Sequence, residues 1–267
     1  MSPEQAAASE ILAFYVEAGV DSLVGEEPVN HFAPAAPEAP RMPARAPEIK
    51  SAPMMIAAPP VAPPAPDVAA MEARDAVKNI QTLDELRAAL GAFEGCALRA
   101  TATQLVFADG NPQAKLMLVG EAPGRDEDIE GLPFVGRSGK LLDRMLAAIG
   151  IDRTQAYIAN IIPWRPPGNR TPTPQESQIC LPFIQKQIEL VDPDVLVCLG
   201  GPSATTLLGI KEGITKSRGR WVSYDTGKRE IRAIPTFHPA FLLRSPLQKR
   251  LAWRDLLAVK KALSEPV

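Results

Sequence analysis

Apolar and polar residues alternate along the chain in a way that predicts a repeated strand–helix order. Four short apolar runs that end in turn residues predict buried strands, at residues 115–119, 156–162, 194–199 and 231–235. Longer segments with apolar residues every three or four positions predict helices around them, at residues 82–93, 138–149, 174–190 and 247–263. Strands that alternate with helices form parallel sheets covered on both faces. The pattern therefore predicts an α/β fold: a three-layer α/β/α sandwich with a mostly parallel central sheet of about four strands.

The first third of the chain has a different composition and predicts a separate organisation. Residues 1–25 carry apolar residues at helical spacing and predict an amphipathic helix. Twelve prolines lie between Pro28 and Pro66 among many alanines. Such a segment has few large apolar groups to bury, so residues 26–79 are predicted to be a disordered linker, followed by one folded domain at residues 80–267. The N-terminal helix either docks on that domain or binds a partner protein, and the sequence leaves both open.

Composition excludes several classes of protein. Hydrophobic residues make up 46% of the chain and charged residues 22%, as in an ordinary globular protein, and three cysteines are too few for a disulfide framework. No apolar run approaches the roughly 20 residues that span a bilayer, and the first residues lack the pattern of a signal peptide. We therefore expect a cytoplasmic monomer that does not enter a membrane.

Charge is unevenly distributed, and this changes the expected partner. Residues 1–79 carry 11 acidic and 5 basic residues, whereas the rest of the chain carries 20 acidic and 24 basic residues. The near-neutral total therefore hides a mildly basic domain, which is compatible with a polyanionic partner such as nucleic acid.

The loop after the last predicted strand is a candidate functional site, because ligands of parallel sheets bind beyond the carboxyl ends of the strands. It contains His238, which Pro239 follows in a stiffened turn. Apolar and then basic residues come next: Leu242, Leu243, Arg244, Lys249 and Arg250. An apolar wedge beside phosphate-binding cations suits a loop that is pressed against nucleic acid.

Several long motifs at the strand ends resemble those of family 4 uracil-DNA glycosylases. They are Gly-Glu-Ala-Pro-Gly-Arg-Asp-Glu-Asp at residues 120–128, Gly-Leu-Pro-Phe-Val-Gly at 131–136, Asn-Ile-Ile-Pro-Trp-Arg-Pro-Pro-Gly-Asn-Arg at 160–170, and His-Pro-Ala-Phe-Leu-Leu-Arg at 238–244. The resemblance extends over about residues 83–263. It implies that the chain removes uracil from DNA, by extracting the base from the stack and hydrolysing its glycosidic bond.

The resemblance also implies roles for three residues around the base. Phe134 corresponds to the aromatic residue that stacks on the flipped uracil, Asn160 to the amide that binds its edge, and His238 to the imidazole at uracil O2. A donor aimed at the charge that develops on the leaving base lowers a barrier by roughly 2.7–4 kcal/mol. Arg170 is the last residue of the motif at residues 160–170, and we expect it to contact DNA.

The first motif is expected to hold the attacking water. Glu121, Ala122 and Gly124 correspond to the turn that lines the uracil pocket, and Glu127 to an acidic residue of the same pocket. Ala122 stands where better-known uracil glycosylases have a water-activating carboxylate or amide. Activation of water is therefore weak or comes from Glu121, Glu127 or Asp128, and stabilisation of the leaving group is expected to dominate catalysis.

The chain departs from the family at the positions of a metal cluster. Family 4 enzymes usually hold a [4Fe–4S] cluster with four cysteines, whereas here Cys96 and Cys180 stand at two of these positions and Phe93 and Trp164 at the others. Two thiolates do not hold a four-iron cube. We therefore expect no cofactor and packing by large apolar residues instead; the alternative is a degenerate site with other ligands.

The predicted function is that of a monofunctional uracil-DNA glycosylase. The first alternative is a non-catalytic or covalently trapping uracil-DNA binder, but the related trapping subgroup has an extra His in a basic insertion, and residues 166–172 contain none. The second alternative, compatible with the first function, is an accessory module of a repair or replication complex.

Overall fold

The computed structural model describes residues 66–265, and helices and strands alternate along most of this range. The predicted helix of residues 1–25 and most of the predicted linker lie outside the described residues. The helices are α1 (Pro66–Val77), α2 (Leu83–Ala92), α3 (Arg125–Glu130), α4 (Arg137–Ala148), α5 (Pro174–Val191), α6 (Gly201–Leu208), α7 (Ile214–Ser217), α8 (Pro239–Arg244) and α9 (Lys249–Ser264). The strands are β1 (Asp109–Gly110), β2 (Leu116–Gly120), β3 (Ala156–Asn160), β4 (Val195–Leu199), β5 (Val222–Asp225) and β6 (Glu230–Thr236).

The strands form one sheet with a parallel centre. Its order is β1-β3-β2-β4-β6-β5, and the pairs β3–β2, β2–β4 and β4–β6 are parallel. The four central strands are those that the apolar runs predict, so the expected α/β fold is confirmed. Within the described residues the sheet has six strands rather than about four, because β1 and β5 add an antiparallel strand at each edge.

Two layers of helices bury the two faces of this sheet. Successive residues of a strand point to opposite faces, and all of β2 is buried. Met117 and Val119 share a core cluster with residues of α1, α2, α5 and α6, whereas Leu116 and Leu118 share another with residues of α4 and α9. This is the three-layer sandwich that the sequence predicts.

Helix α1 lies within the predicted linker of residues 26–79, and that prediction is wrong for this part. Ala69 and Ala73 lie four positions apart on one face of α1, are fully buried, and belong to the core cluster that includes α5. Alanine has the highest helix propensity, and the dense prolines stop at the first residue of α1. Small side chains also allow two helices to approach closely. The folded part of the chain therefore begins before residue 80.

The carboxyl ends of the parallel strands lie together at one edge of the sheet. Gly120 at the end of β2 is in register with Asn160 at the end of β3, and β4 and β6 end alongside at Leu199 and Thr236. The loops that follow these strands carry the motifs found in the sequence. Among residues 66–265, none of the helices is long and apolar enough to cross a membrane.

Candidate active site

A cavity of about 550 Å³ opens at this edge of the sheet. Its wall contains seven of the eight residues expected to act on uracil or water, Asp128 being the exception: Glu121, Ala122, Gly124, Glu127, Phe134, Asn160 and His238. These residues come from four segments: residues 121–127 after β2, the loop after α3, the end of β3 and the loop after β6. The parallel register of β2 and β3 brings the motif of residues 120–128 against that of residues 160–170. The volume lies in the range of small-molecule sites in proteins.

His238 is held as a neutral imidazole. It caps the N-terminus of α8, where its Nδ1 accepts a hydrogen bond from the backbone N–H of Ala240 at 3.1 Å. Burial, and secondarily the positive charge of Arg244, lowers the pKa of His238 to about 4. An accepting Nδ1 places the single ring proton on Nε2, so near neutral pH the free side of the ring is an uncharged hydrogen-bond donor.

Phe134 presents a flat apolar surface beside this imidazole. Its ring centroid lies 5.4 Å from that of His238, with 31° between the ring planes, and only 4% of the residue is exposed. Its backbone has φ 55°, in the left-handed region that residues with a Cβ rarely adopt. Strained backbone at a cleft is characteristic of functional sites.

Asn160 contributes a buried polar atom that no other group satisfies. The residue is 5% exposed, and its Oδ1 has no hydrogen-bond partner among the described residues. A Cβ at Gly120 would lie 2.4 Å from this Oδ1 and 2.7 Å from Cζ of Phe134, so only glycine leaves room for both side chains. A buried acceptor without a partner is costly, and a bound ligand that donates a hydrogen bond would remove that cost.

Glu127 has a bracing role that the sequence did not predict. One carboxylate oxygen accepts the backbone N–H of Gly124 at 3.0 Å, and the other accepts those of Val135 and Gly136 at 3.1 and 3.0 Å. With both oxygens engaged, this buried carboxylate braces the loops on either side of α3. The predicted catalytic role of Glu127 stays a prediction.

Of the two remaining acidic candidates, one lies in the cavity wall and the other lies outside it. Asp128 is buried and accepts hydrogen bonds from the backbone and hydroxyl of Thr103, and it is not part of the cavity wall. Glu121 lies in that wall beside Ala122, and burial raises the pKa of its carboxyl. Of the three acids, Glu121 is the one that the structure leaves available to a water.

The residues predicted to bind DNA do not all lie at the cavity. Arg170 and Arg244 line it, and Arg170 also forms a two-bond ion pair with Glu176 at 2.6 and 2.9 Å. Lys249 and Arg250 are exposed on the first turn of α9, outside the cavity wall. Their contact with DNA stays a prediction.

The two leucines of the motif at residues 238–244 face in different directions. Leu242 is 1% exposed and packs in a core cluster with Met145 and Leu256, so its predicted contact with DNA is wrong. Leu243 is 38% exposed and is the one available as an apolar wedge. In helix α8, adjacent residues lie about 100° apart, which separates the two side chains.

The positions of the family's cluster are filled by packed side chains. The Sγ atoms of Cys96 and Cys180 lie 3.9 Å apart, and the thiol of Cys180 donates to Cys96. This hydrogen bond lowers the pKa of Cys96 and raises that of Cys180. Phe93 and Trp164 are 8% and 2% exposed, and the ring of Phe93 packs edge-on against Phe183 with centroids 5.0 Å apart.

These residues do not fit a four-iron cluster. Two sulfur atoms are present where four are needed, and aromatic rings occupy the core at the other two positions. Within residues 66–265, no three side chains of His, Cys, Asp or Glu come together as a metal site. Cys198, the third thiol, lies in β4, and burial raises its pKa well above the usual value.

Sequence analysis missed two residues that shape the cavity. Gly200 follows β4 with φ 103°, and a Cβ there would lie 3.2 Å from Cβ of His238, so glycine permits the close approach of that loop. The glycine pair after an apolar run was the available signal. Arg153, before β3, donates to the carbonyl of Phe134 and lies in no motif.

Comparison with known proteins agrees with this fold. The family described as the uracil DNA glycosylase superfamily matches residues 107–257. The chain is 45% identical over 173 residues to the type-4 uracil-DNA glycosylase of Thermotoga maritima, covering 64% of this chain and 88% of that protein. It is 38% identical over 171 residues to the type-4 uracil-DNA glycosylase of Archaeoglobus fulgidus, covering 62% and 86%.

A more distant similarity involves a larger protein. The DNA polymerase of Bacillus phage SP01 is 32% identical over 148 residues, which are 55% of this chain and 16% of that protein. The fold and the cavity define a member of the uracil DNA glycosylase superfamily. Within it, the chain belongs to the type-4 uracil-DNA glycosylases.

Proposed function

We propose that this protein is a uracil-DNA glycosylase that releases uracil from DNA and leaves an abasic site. The observation that carries the proposal is the unpartnered Oδ1 of Asn160, a residue that lines one cavity together with Phe134 and the neutral imidazole of His238. A flat apolar face, an unsatisfied acceptor and a neutral donor are what a flipped uracil requires. Similarity to several proteins named type-4 uracil-DNA glycosylases supports the same substrate.

Recognition of uracil follows from the donors and acceptors available. With the base stacked on Phe134, the Oδ1 of Asn160 accepts from uracil N3–H and its Nδ2 donates to uracil O4. Asn160 at the end of β3 packs closely against Gly120 at the end of β2, and this contact restricts rotation of the Asn160 amide. Cytosine presents an acceptor at N3 and a donor at N4, so both contacts become unfavourable for that base.

The chemical step depends on charge that develops on uracil. As the bond between N1 and the sugar C1′ breaks, its electron pair goes to the base, and the Nε2–H of His238 donates to uracil O2. A preorganised donor of this kind is worth roughly 2.7–4 kcal/mol in the transition state. A neutral imidazole requires no change of protonation during the reaction, because its pKa lies far below neutral pH.

Water completes the hydrolysis. It adds to C1′ of the oxocarbenium-like sugar and loses a proton, for which Glu121 is the candidate acceptor, because it lines the cavity and the carboxylate of Glu127 is occupied by backbone N–H groups. Ala122 offers no basic group. Among the described residues the cavity wall contains no lysine, which supports hydrolysis by water rather than attack on C1′ by an amine.

No step of this reaction passes through an iron–sulfur cluster. The family usually holds one, but the cysteines and aromatic residues at those positions do not fit it. We propose that packing of Phe93 and Trp164 joins the segments that a cluster would join, and that the protein needs no cofactor for activity.

A glycosylase assay tests the function directly. Purified protein is incubated with duplex oligonucleotides that carry U, T or C at one position, and abasic sites are revealed by alkaline cleavage. We expect strand cleavage for U alone. A covalent adduct that survives denaturing electrophoresis would instead identify a trapping binder, and uracil-specific binding without cleavage a non-catalytic binder.

An accessory role in replication is a second candidate and is compatible with the first. The observation that favours it is the similarity to a segment covering 16% of a phage protein named DNA polymerase, which indicates that a domain of this kind occurs within a replication protein. Co-purification of the full chain with replication proteins, compared with a chain lacking residues 1–65, tests this role.

Three further properties remain predictions: a protein partner for residues 1–25, a monomeric state and a cytoplasmic location. The three free thiols of Cys96, Cys180 and Cys198 suit a reducing compartment and support the last of these. Sedimentation of the purified chain tests the monomer.

A further inference from the structure

The backbone around Phe134 is held by an arginine that belongs to none of the sequence motifs. The Nη1 atom of Arg153 donates to the carbonyl of Pro133 at 3.1 Å, and its Nη2 donates to the carbonyl of Phe134 itself. Arg153 lies in the short turn before β3, 19 residues from Phe134 along the chain. A planar guanidinium can hold two successive carbonyls in a fixed relative orientation.

The peptide groups that follow Phe134 are held from the other side. The backbone N–H groups of Val135 and Gly136 donate to Glu127. Two carbonyls and two N–H groups of the four residues 133–136 are thus fixed by opposite charges. We call this arrangement the 133–136 clamp.

The clamp acts at the strained residue of the cavity. Phe134 has φ 55°, and a residue with a Cβ adopts this conformation only where the surroundings impose it. Its carbonyl is further confined by α4, since a Cβ at Gly139 would lie 1.7 Å from that oxygen. Were Phe134 to return to an extended backbone, its ring would leave the position beside His238.

Arg153 is itself fixed before any DNA binds. Its Nε donates to Asp143 in α4 at 2.8 Å, and its Nη1 donates to Asp109 in β1 at 2.5 Å. The side chain is 24% exposed. Two carboxylates on different elements therefore fix the orientation of the guanidinium. The guanidinium in turn fixes the position of the Phe134 carbonyl oxygen.

We propose that Arg153 is a positioning residue for uracil excision, which holds Phe134 in the left-handed backbone that aims its ring at the base. This inference rests on the proposed function and extends it to a residue outside the cavity wall. Loss of Arg153 should slow release of uracil by about 10- to 100-fold, as small misplacements of a substrate-orienting group do. Affinity for DNA that contains no uracil should be unchanged, because Phe134 meets only a flipped base.

The chain offers a matched control for the stability that a partly buried arginine contributes. Arg229 also binds two carboxylates, of Asp192 and Asp194, and donates to the backbone carbonyls of Asp192 and Pro193. Asp192 too has a left-handed backbone, with φ 48°. Arg229 does not line the cavity. The two arginines therefore make similar bonds to similar turns, and only one of those turns carries a residue of the site.

The experiment compares the wild type with Arg153→Ala, Arg153→Lys and Arg229→Ala. Single-turnover release of uracil is measured with enzyme in excess, together with the affinity for uracil-free duplex and the thermal unfolding midpoint. We expect both alanine variants to lose similar stability, and only Arg153→Ala to lose rate. Lysine reaches one carbonyl, so Arg153→Lys should recover part of the rate.

Each outcome of this comparison is decisive. A rate for Arg153→Ala equal to that of Arg229→Ala, with an active wild type, would overturn the positioning role and leave the proposed function intact. A wild type that releases no uracil would overturn both. If Arg153→Ala does not fold, Asp143→Ala replaces it, because that variant keeps the arginine and frees its Nε. A rate loss of a few-fold then supports the inference, and an unchanged rate refutes it.

Discussion

The Nδ1 atom of His238 accepts a hydrogen bond from the backbone N–H of Ala240, two residues further along the chain, at 3.1 Å. This contact fixes the ring at the start of α8 and assigns its proton to Nε2. Because the pKa of His238 is lowered to about 4, the same tautomer persists across the physiological range. The imidazole is thus a preformed neutral donor rather than a cation.

Removal of this donor should slow the chemical step selectively. We expect His238→Ala to reduce single-turnover uracil release by about 10²- to 10³-fold, the usual loss for one donor to a developing anion. Binding to an abasic product duplex should change much less. His31 is the other histidine of the chain, and His31→Ala is the matched control expected to keep the wild-type rate. An unaltered rate in His238→Ala would remove the imidazole from the mechanism.

The lowered pKa of His238 also predicts a dependence of stability on pH. Between pH about 4 and 6.5 the unfolded chain binds a proton at this residue and the folded chain does not, so its contribution to stability is complete above 6.5 and is lost as pH falls toward about 4. The slope from one group is at most about 1.4 kcal/mol per pH unit. Denaturant unfolding of the wild type and of His238→Ala over this interval should show a flatter profile for the variant. Parallel profiles would contradict the lowered pKa.

Exchange of the amide of Asn160 for a carboxylate should change the choice of base. In Asn160→Asp a carboxylate faces uracil O4, a buried mismatch of roughly 1–3 kcal/mol, whereas one Asp oxygen can accept from cytosine N4. We expect slower release of uracil and a slow release of cytosine, a poorer leaving group. Single-turnover excision from matched oligonucleotides measures both. Asn111→Asp is the control, since Asn111 lies outside the cavity wall. Full uracil activity in Asn160→Asp would exclude contact with the base edge.

The protein should be active without iron. Only Cys96 and Cys180 are available as sulfur ligands at the four positions, and Phe93 and Trp164 are packed in the core. We expect a colourless protein whose activity survives chelation. After anaerobic reconstitution, the double variant Phe93→Cys/Trp164→Cys should gain iron and visible absorbance relative to the wild type. A brown wild-type protein with the iron content of a four-iron cluster would contradict this prediction.

Two truncations should differ in stability because of helix α1. Deletion of residues 1–65 leaves α1 intact, whereas deletion of residues 1–79 removes Ala69 and Ala73 from the core. Loss of two buried methyl groups and of the partly buried Val77 should cost on the order of 2 kcal/mol, at about 0.8 kcal/mol for each buried carbon. Urea unfolding of the two truncated chains tests this difference. Equal midpoints would show that α1 adds nothing to the domain.

The sequence predicted the sheet's centre better than its edges. A strand such as β2 is buried on both faces, so its composition alone marks it as a continuous apolar run. Strand β1 has two residues, and β5 has four, of which only Tyr224 is buried. These edge strands exist because their backbones pair with β3 and β6, which leaves little trace in the side chains.

The sequence predicted which residues form the site but not where their side chains point. A sequence motif does not tell whether a glutamate side chain faces the ligand or, as Glu127 in α3 does, binds backbone N–H groups of the neighbouring loops. Leu242 and Leu243 are adjacent and chemically identical, and only the packing of α8 buries one of them. Arg153 belongs to no sequence motif. Its effect on Phe134 depends on a hydrogen bond between residues that are 19 positions apart in the chain.

Gly120 limits how this gene can vary. Any side chain at the end of β2 would meet both the Asn160 amide and the tip of the Phe134 ring. Those atoms are the far ends of side chains, so the domain could still fold after they shift, but the two groups around the base would be displaced together. In a library of all substitutions at codon 120, selection for folded protein should therefore retain many variants, whereas selection for uracil excision should return glycine alone.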